Sequence, residues 1–195
     1  MKTEKEKMLA GELYNPQDTV LAEERLQARL LLKKINDTPE NEKKGRLRLI
    51  KQLMPHAKAA LWIQPPFYCD YGSNIITGEQ VFFNFNCVVL DVATVTIGSR
   101  TFIGPNVQLY TALHPEDSVL RATGLCLAKP IVIGEDVWIG GNTVVCAGVT
   151  IGNRSIIGAG SVVTKDVPDD AFAAGNPCKV IRRVIENEAF RKDKQ

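Results

Sequence analysis

Histidine is scarce: the 195 residues contain only two, His56 and His114. A zinc centre built on three histidines is therefore excluded within one chain, and no metal is expected. The five cysteines, Cys69, Cys87, Cys126, Cys146 and Cys178, are an odd, scattered set without a Cys-x-x-Cys pair. They form neither a disulfide framework nor a zinc spacing, and most of them fit small buried hydrophobes in a reducing, cytoplasmic compartment. No run of about 18 consecutive apolar residues occurs, so no membrane span is expected. The opening segment, Met1 to Met8, lacks the apolar core of a secretory signal. A dominant charge is missing as well: 24 Lys+Arg against 22 Asp+Glu leave +2, too balanced for a general nucleic-acid binder. The whole chain is 45% apolar, enough for one domain or a domain with a small appendage.

The first fifty or so residues read as helical. Thr3-x-x-Glu6 forms a capping box for a short helix ending near Gly11. Asp18 caps a second helix with Leu21, Leu26, Leu30 and Ile35 expected along one face. Thr38-Pro39-Glu40 reads as the start of a third helix, with Leu47, Ile50 and Leu53 as its buried stripe. His56 follows at the junction and reads as a surface or packing residue.

Beyond it the period changes. Ile133, Ile139, Val145, Ile151, Ile157 and Val163 recur every sixth residue, and Ile97, Ile103 and Leu109 keep that spacing upstream. Glycine takes the second position at 98, 104, 134, 140, 152 and 158. The fifth position is small or β-branched at Thr101, Val107, Val137, Thr143, Val149, Ser155, Ser161 and Val167, with Leu113 the exception. Neither the helical period of about 3.6 nor the strand period of 2 produces this pattern, which is the hexapeptide signature of a parallel β-helix. The expected fold is mainly β: a left-handed prism of stacked coils, with the second-position glycines relaxing its corners. The organisation expected is a helical domain over 1–58, the β-helix over 59–184, and a tail over 185–195. The rhythm breaks after His114, and 115–130 is expected to loop out.

His114 stands at the root of that insertion. An unperturbed imidazole has a pKa of about 6.5 and is largely a free base at neutral pH, which suits deprotonation of an alcohol attacking an acyl carbonyl. No nucleophile elbow is evident, so direct transfer is simpler than a covalent intermediate. Cys87 or Cys146 as a nucleophile is outweighed by the reading as buried small residues. Thr164, Lys165, Lys179, Arg182 and Arg183 form a basic cluster able to pair with phosphates, or else a solvated tail. Gly141, beside Trp138, offers backbone that a thioester can approach closely.

Together, Cys69-Asp70-Tyr71-Gly72, Asn84-Phe85-Asn86, His114-Pro115, Val137-Trp138-Ile139-Gly140, Val163-Thr164-Lys165-Asp166-Val167-Pro168 and Gly175-Asn176-Pro177 resemble the maltose/galactoside O-acetyltransferase family, and Glu4 through Tyr14 resembles its maltose-type helical domain. The resemblance covers about residues 1–184. It implies acetyl-CoA as donor co-substrate, His114 as general base, and Asn84 orienting the acceptor and stabilising the oxyanion. It places Gly141, Ala159, Thr164, Lys165, Lys179 and Arg182 against coenzyme A, and Asp70, Phe82, Asp91 and Asp18 in or beside the acceptor pocket. Gly141 stands where the galactoside enzymes carry serine, and Lys179 where they carry arginine. Asp70 and Phe82 replace a serine and a tyrosine, which favours glucose, maltose or a related glucoside. The resemblance further implies a homotrimer with sites between subunits. A non-sugar acceptor such as a xenobiotic alcohol, and a non-catalytic β-helical scaffold, are the alternatives; coenzyme A binding separates the scaffold from both enzymes.

Overall fold

The computed structural model describes residues 1–184, so the expected tail lies outside the described residues. Helix α1 is Glu4–Leu9, opened by a complete capping box in which the Glu6 N–H donates to Thr3 Oγ1 and the Thr3 N–H to the Glu6 carboxylate. Helix α2, Thr19–Asp37, begins at Asp18, whose Oδ1 accepts from the N–H groups of Val20 and Leu21. Its buried face is Leu21, Ala28, Leu32 and Ile35, while the expected Leu26 and Leu30 are exposed. At about 100° per residue, positions 26 and 30 lie roughly 140° and 180° from Leu21, on the far side of the helix.

Helix α3, Lys43–Leu53, starts later than expected and has no side-chain cap. Thr38 closes α2 instead, its Oγ1 donating to the Lys34 carbonyl. The turn is held by Arg46, a buried cation whose Nη2 donates to the Thr38 carbonyl and to Glu40 Oε2, both at 2.9 Å. Arg46, Ile50 and Leu53 form the buried stripe, and Leu47 is exposed.

From Trp62 onward the chain winds around three faces in turn. The first face stacks Trp62–Ile63, Phe82–Phe83, Phe102–Ile103, Trp138–Ile139, Ile156–Ile157 and Ala171–Ala174. The second stacks Phe67–Cys69, Cys87–Leu90, Gln108–Tyr110, Val144–Val145 and Val162–Val163, and the third Ile75–Thr77, Val95–Ile97, Ile131–Ile133 and Thr150–Ile151. All these pairings are parallel, and at the end of the first face Lys179–Arg183 folds back antiparallel on Ala171–Ala174. First-position residues from Ile97 to Val163 are sealed inside. The polar fifth-position residues earn their burial by bonding to carbonyls at the corners: Thr101 Oγ1 donates to Gly134 and Ser155 Oγ to Pro168.

The second-position glycines are not the residues with left-handed backbone. That conformation falls to the fourth position, as at Arg100, Asn106, Asp136, Asn142 and Arg154. The glycines are required because the next coil is too close: a Cβ on Gly98 would meet the backbone of Gly134 and Glu135 at 2.5 Å. Contact, rather than corner flexibility, selects them.

Ile139 pairs with Ile157, an 18-residue coil, whereas Ile63, Phe83 and Ile103 pair at 20-residue intervals. The two extra residues sit at the corner between second and third faces, in 70–74 and 91–94. The insertion interrupts the next coil at that same corner. It is more ordered than a plain loop: Ala112–Leu113 pairs antiparallel with Leu127–Ala128, and α4, Ser118–Ala122, is capped by Asp117.

Candidate active site

The candidate residues fall on two corners of the prism. At the corner between first and second faces stand Asn84, Gly141 and Ala159; Gly141 and Ala159 lie on successive coils, and the coil of Phe102–Ile103 separates Asn84 from Gly141. Asn84 Oδ1 accepts the Phe85 N–H at 2.8 Å, which leaves its Nδ2 without a partner among the described residues. The N–H groups of Gly141 and Ala159 are likewise without partners among the described residues. At the corner between third and first faces, three of the equivalent third-position amides are paired. There the Glu79 N–H donates to Ser99 Oγ (3.1 Å), Glu135 to Asn153 Oδ1 (2.9 Å) and Asn153 to Asp169 Oδ1 (2.8 Å). The difference is chemical: Ser, Asn and Asp accept a bond from the coil below, whereas Pro105, Gly141 and Ala159 have no acceptor side chain. Two amide donors, free among the described residues, therefore lie on the coils above Asn84, with Pro105 between; such donors are what a developing oxyanion requires.

The adjoining wall is aromatic. Phe82, Phe102 and Trp138 point outward in register, and with Asn84, Ile103 and Gly104 they line an open groove of about 450 Å³. At the top of the same face Arg182 lies over the Phe172 ring, 4.7 Å from its centroid, and Lys179 shares its exposed strand.

The corner between second and third faces carries Asp70, Asp91, His114, Thr164 and Lys165. His114 is exposed at the end of the insertion stem, with Nδ1 3.6 Å from Cys126 Sγ. Cys126 is fixed by reciprocal backbone bonds with Tyr14, at 3.0 and 3.1 Å, so the helical domain grips the segment that contacts the histidine. Thr164 and Lys165 are exposed at the same corner, higher in the stack. Burial pushes the Asp70 carboxyl above the usual range, opposed by the nearby guanidinium groups of Arg25 and Arg29. Arg25 donates to Tyr71 Oη (2.7 Å) and to the Pro16 carbonyl (2.6 Å).

One expected acceptor contact needs correction, and a second residue has a structural task as well. Asp91 is wholly buried, and its carboxylate faces the turn below: Oδ1 accepts from Asp70 and Tyr71, and Oδ2 from Asn74 at 3.4 Å. It holds the turn that carries Asp70, and the burial raises its carboxyl to about 6. Asp18 is committed through Oδ1 to capping α2. Cys87 is buried with its thiol raised to about 11 by desolvation, the opposite of an activated nucleophile. Arg25, Tyr14 and Cys126 escaped the sequence reading, because no local spacing marks residues that meet only when a helix, a loop and a coil are brought together.

Known proteins resemble this chain over most of its length. The family model described as the maltose acetyltransferase hexapeptide capping motif matches residues 7–58, and the bacterial transferase hexapeptide model matches 130–165. A galactoside O-acetyltransferase of Escherichia coli is 42% identical over 183 residues, 94% of this chain and 90% of that protein. The crystal structure of a maltose O-acetyltransferase from Clostridium difficile superposes with a TM-score of 0.93 at 44% identity, covering 95% of this chain and 99% of that one. A galactoside acetyltransferase in complex with coenzyme A gives 0.92 at 41% identity, covering 98% and 94%. The chain belongs to the maltose/galactoside O-acetyltransferase family of hexapeptide-repeat proteins.

Proposed function

We propose that this protein transfers an acetyl group from acetyl-CoA to a hydroxyl of a glucoside such as glucose or maltose, with His114 as general base. The observation that carries this reading is the division of the candidate residues between two corners. His114, Asp70, Thr164 and Lys165 occupy one; Asn84 and the free amides of Gly141 and Ala159 occupy the other, with the second face between them. A single prism keeps the base apart from the oxyanion donors. Three prisms packed side by side about a threefold axis set one copy's first corner against its neighbour's second, and complete the site between chains. The ring column of half-buried Phe82 and exposed Phe102 and Trp138 is then covered rather than left in water.

Acetyl-CoA is a substrate consumed at each turnover, and the residues present suit it. Lys165, Lys179 and Arg182 supply exposed cations for its phosphates, and the side-chain-free backbone at Gly141 admits the thioester. His114 takes the proton of the acceptor hydroxyl as its oxygen bonds to the thioester carbon. The Gly141 N–H and Asn84 Nδ2 stabilise the charge on the carbonyl oxygen, and His114 returns the proton to the departing sulfur. The site lies in the cytoplasm on this reading, where acetyl-CoA is available.

The test is incubation with acetyl-CoA and a panel of glucosides, galactosides and non-sugar alcohols, followed by mass detection of products. An acetylated glucoside that disappears with His114→Ala supports the reading. Acetylation of a non-sugar alcohol alone removes the sugar acceptor, and failure to bind coenzyme A leaves only a scaffold.

A further inference from the structure

We propose that Cys126 is a positioning residue for the reaction: its sulfur selects the tautomer of His114 in which Nδ1 carries the hydrogen and Nε2 is free to accept a proton. The inference rests on the general-base reading of His114 and specifies how that base is prepared.

A neutral imidazole has one N–H and one basic nitrogen, and whatever bonds to the first decides which nitrogen remains basic. The contact to His114 is Cys126 Sγ, 3.6 Å from Nδ1. A thiol can donate to Nδ1 or accept from it, and these alternatives have opposite consequences. If the thiol donates, Nδ1 is the basic nitrogen and Nε2 carries the hydrogen, so Nε2 is blocked. If it accepts, Nε2 is the base.

A second acceptor decides between them. The Gly124 carbonyl lies 3.7 Å from the same sulfur, and a carbonyl can only accept. With the single S–H directed at Gly124, the sulfur lone pairs face Nδ1–H, and the bonds run in one direction from imidazole to thiol to carbonyl. Burial raises the Cys126 thiol above its ordinary range, which keeps it protonated and able to occupy this middle place. The sulfur itself is held by the paired backbone bonds between Tyr14 and Cys126. The segment joining α1 to α2 thus reaches the base through two contacts.

The experiment compares Cys126→Ala and Cys126→Ser with the parent by histidine ¹⁵N NMR and by kinetics. Only His56 and His114 contribute signals, so His56→Gln assigns the spectrum. The parent is expected to show the Nδ1–H form of His114. Cys126→Ala is expected to populate the other tautomer and to lower kcat at least about fivefold, the equivalent of one lost hydrogen bond. KM for acetyl-CoA and the melting temperature should stay unchanged. Cys126→Ser keeps one donor and two lone pairs and is expected to restore both the tautomer and kcat. The proposal is overturned if His114 in the parent is mainly Nε2–H, if the Ala variant keeps both tautomer and kcat, or if Ser fails to restore what Ala loses. Loss of the general-base reading would appear separately, as turnover retained by His114→Ala.

Discussion

Asp91 and Asp70 stand on successive coils, joined by carboxylate and amide: Asp91 Oδ1 accepts the Asp70 N–H at 2.9 Å. A second bond from Tyr71 at 2.9 Å, and one from the Asn74 side chain to the Asp91 carbonyl at 2.7 Å, complete the clamp. The corner turn at the acceptor side is therefore set by a buried charge one coil above it.

That charge gives a pH dependence of known sign. The Asp91 carboxyl is raised to about 6 by burial, so the folded protein holds this proton more tightly than the unfolded chain does. Stability from this group rises as pH falls from about 6 towards the ordinary carboxylate range, and is lowest above 6. Asp91→Asn is uncharged throughout and lacks this dependence. Its melting temperature relative to the parent should fall as pH is lowered from about 7 to about 5. A relative rise in the variant would show that Asp91 is not held as a costly buried anion.

Complementation tests the division of the site between corners. His114→Ala should lower kcat by at least about 10²-fold while leaving coenzyme A affinity nearly unchanged, and Asn84→Ala should also be crippled. Denatured together and refolded as mixtures, the two inactive proteins should regain activity if the proposed trimer forms its sites between chains. Random assembly pairs an intact His114 corner with an intact Asn84 corner in about one site of four. No recovery from mixtures that demonstrably exchange chains would place the whole site within one chain.

The cations proposed for coenzyme A should behave as screened charges. Lys165→Gln and Arg182→Gln should each weaken coenzyme A binding several-fold at low salt, and by less at about 1 M, where the screening length is about 3 Å. Arg182→Gln also removes the guanidinium from Phe172, so it should retain more of its effect at high salt than Lys165→Gln does. Titration calorimetry at two salt concentrations measures both. Unchanged affinity in both variants would move the phosphates elsewhere.

Two glycines should respond to alanine with opposite signs. Gly98→Ala drives a Cβ to 2.5 Å from the neighbouring coil's backbone and should cost about 3 kcal/mol, occasionally more. Gly45 lies in α3, where an added Cβ would come no nearer than 4.0 Å to Glu42 Oε2, and Gly45→Ala should stabilise by about 0.5–1 kcal/mol. Thermal unfolding checks both.

What the sequence alone determined is the repeat and two of the three helix caps. The six-residue period defines an inward row because each coil must bury the same position, and Ile97 through Val163 are all sealed. The Thr3 and Asp18 caps were legible because a cap involves only three or four consecutive residues. Where leucines were counted without the helical angle, at Leu26 and Leu30, the reading failed, and the Thr38 cap failed because Arg46 from the next helix holds that turn. Tertiary structure decided the rest. Residues 21 apart became a clamp at Asp70 and Asp91, Tyr14 met Cys126 beside His114, and the amides of Gly141 and Ala159 were left free because no acceptor side chain lies above them. Such relations depend on which coil stacks on which and which corner receives the extra residues, and those are distances in space that no spacing along the chain encodes.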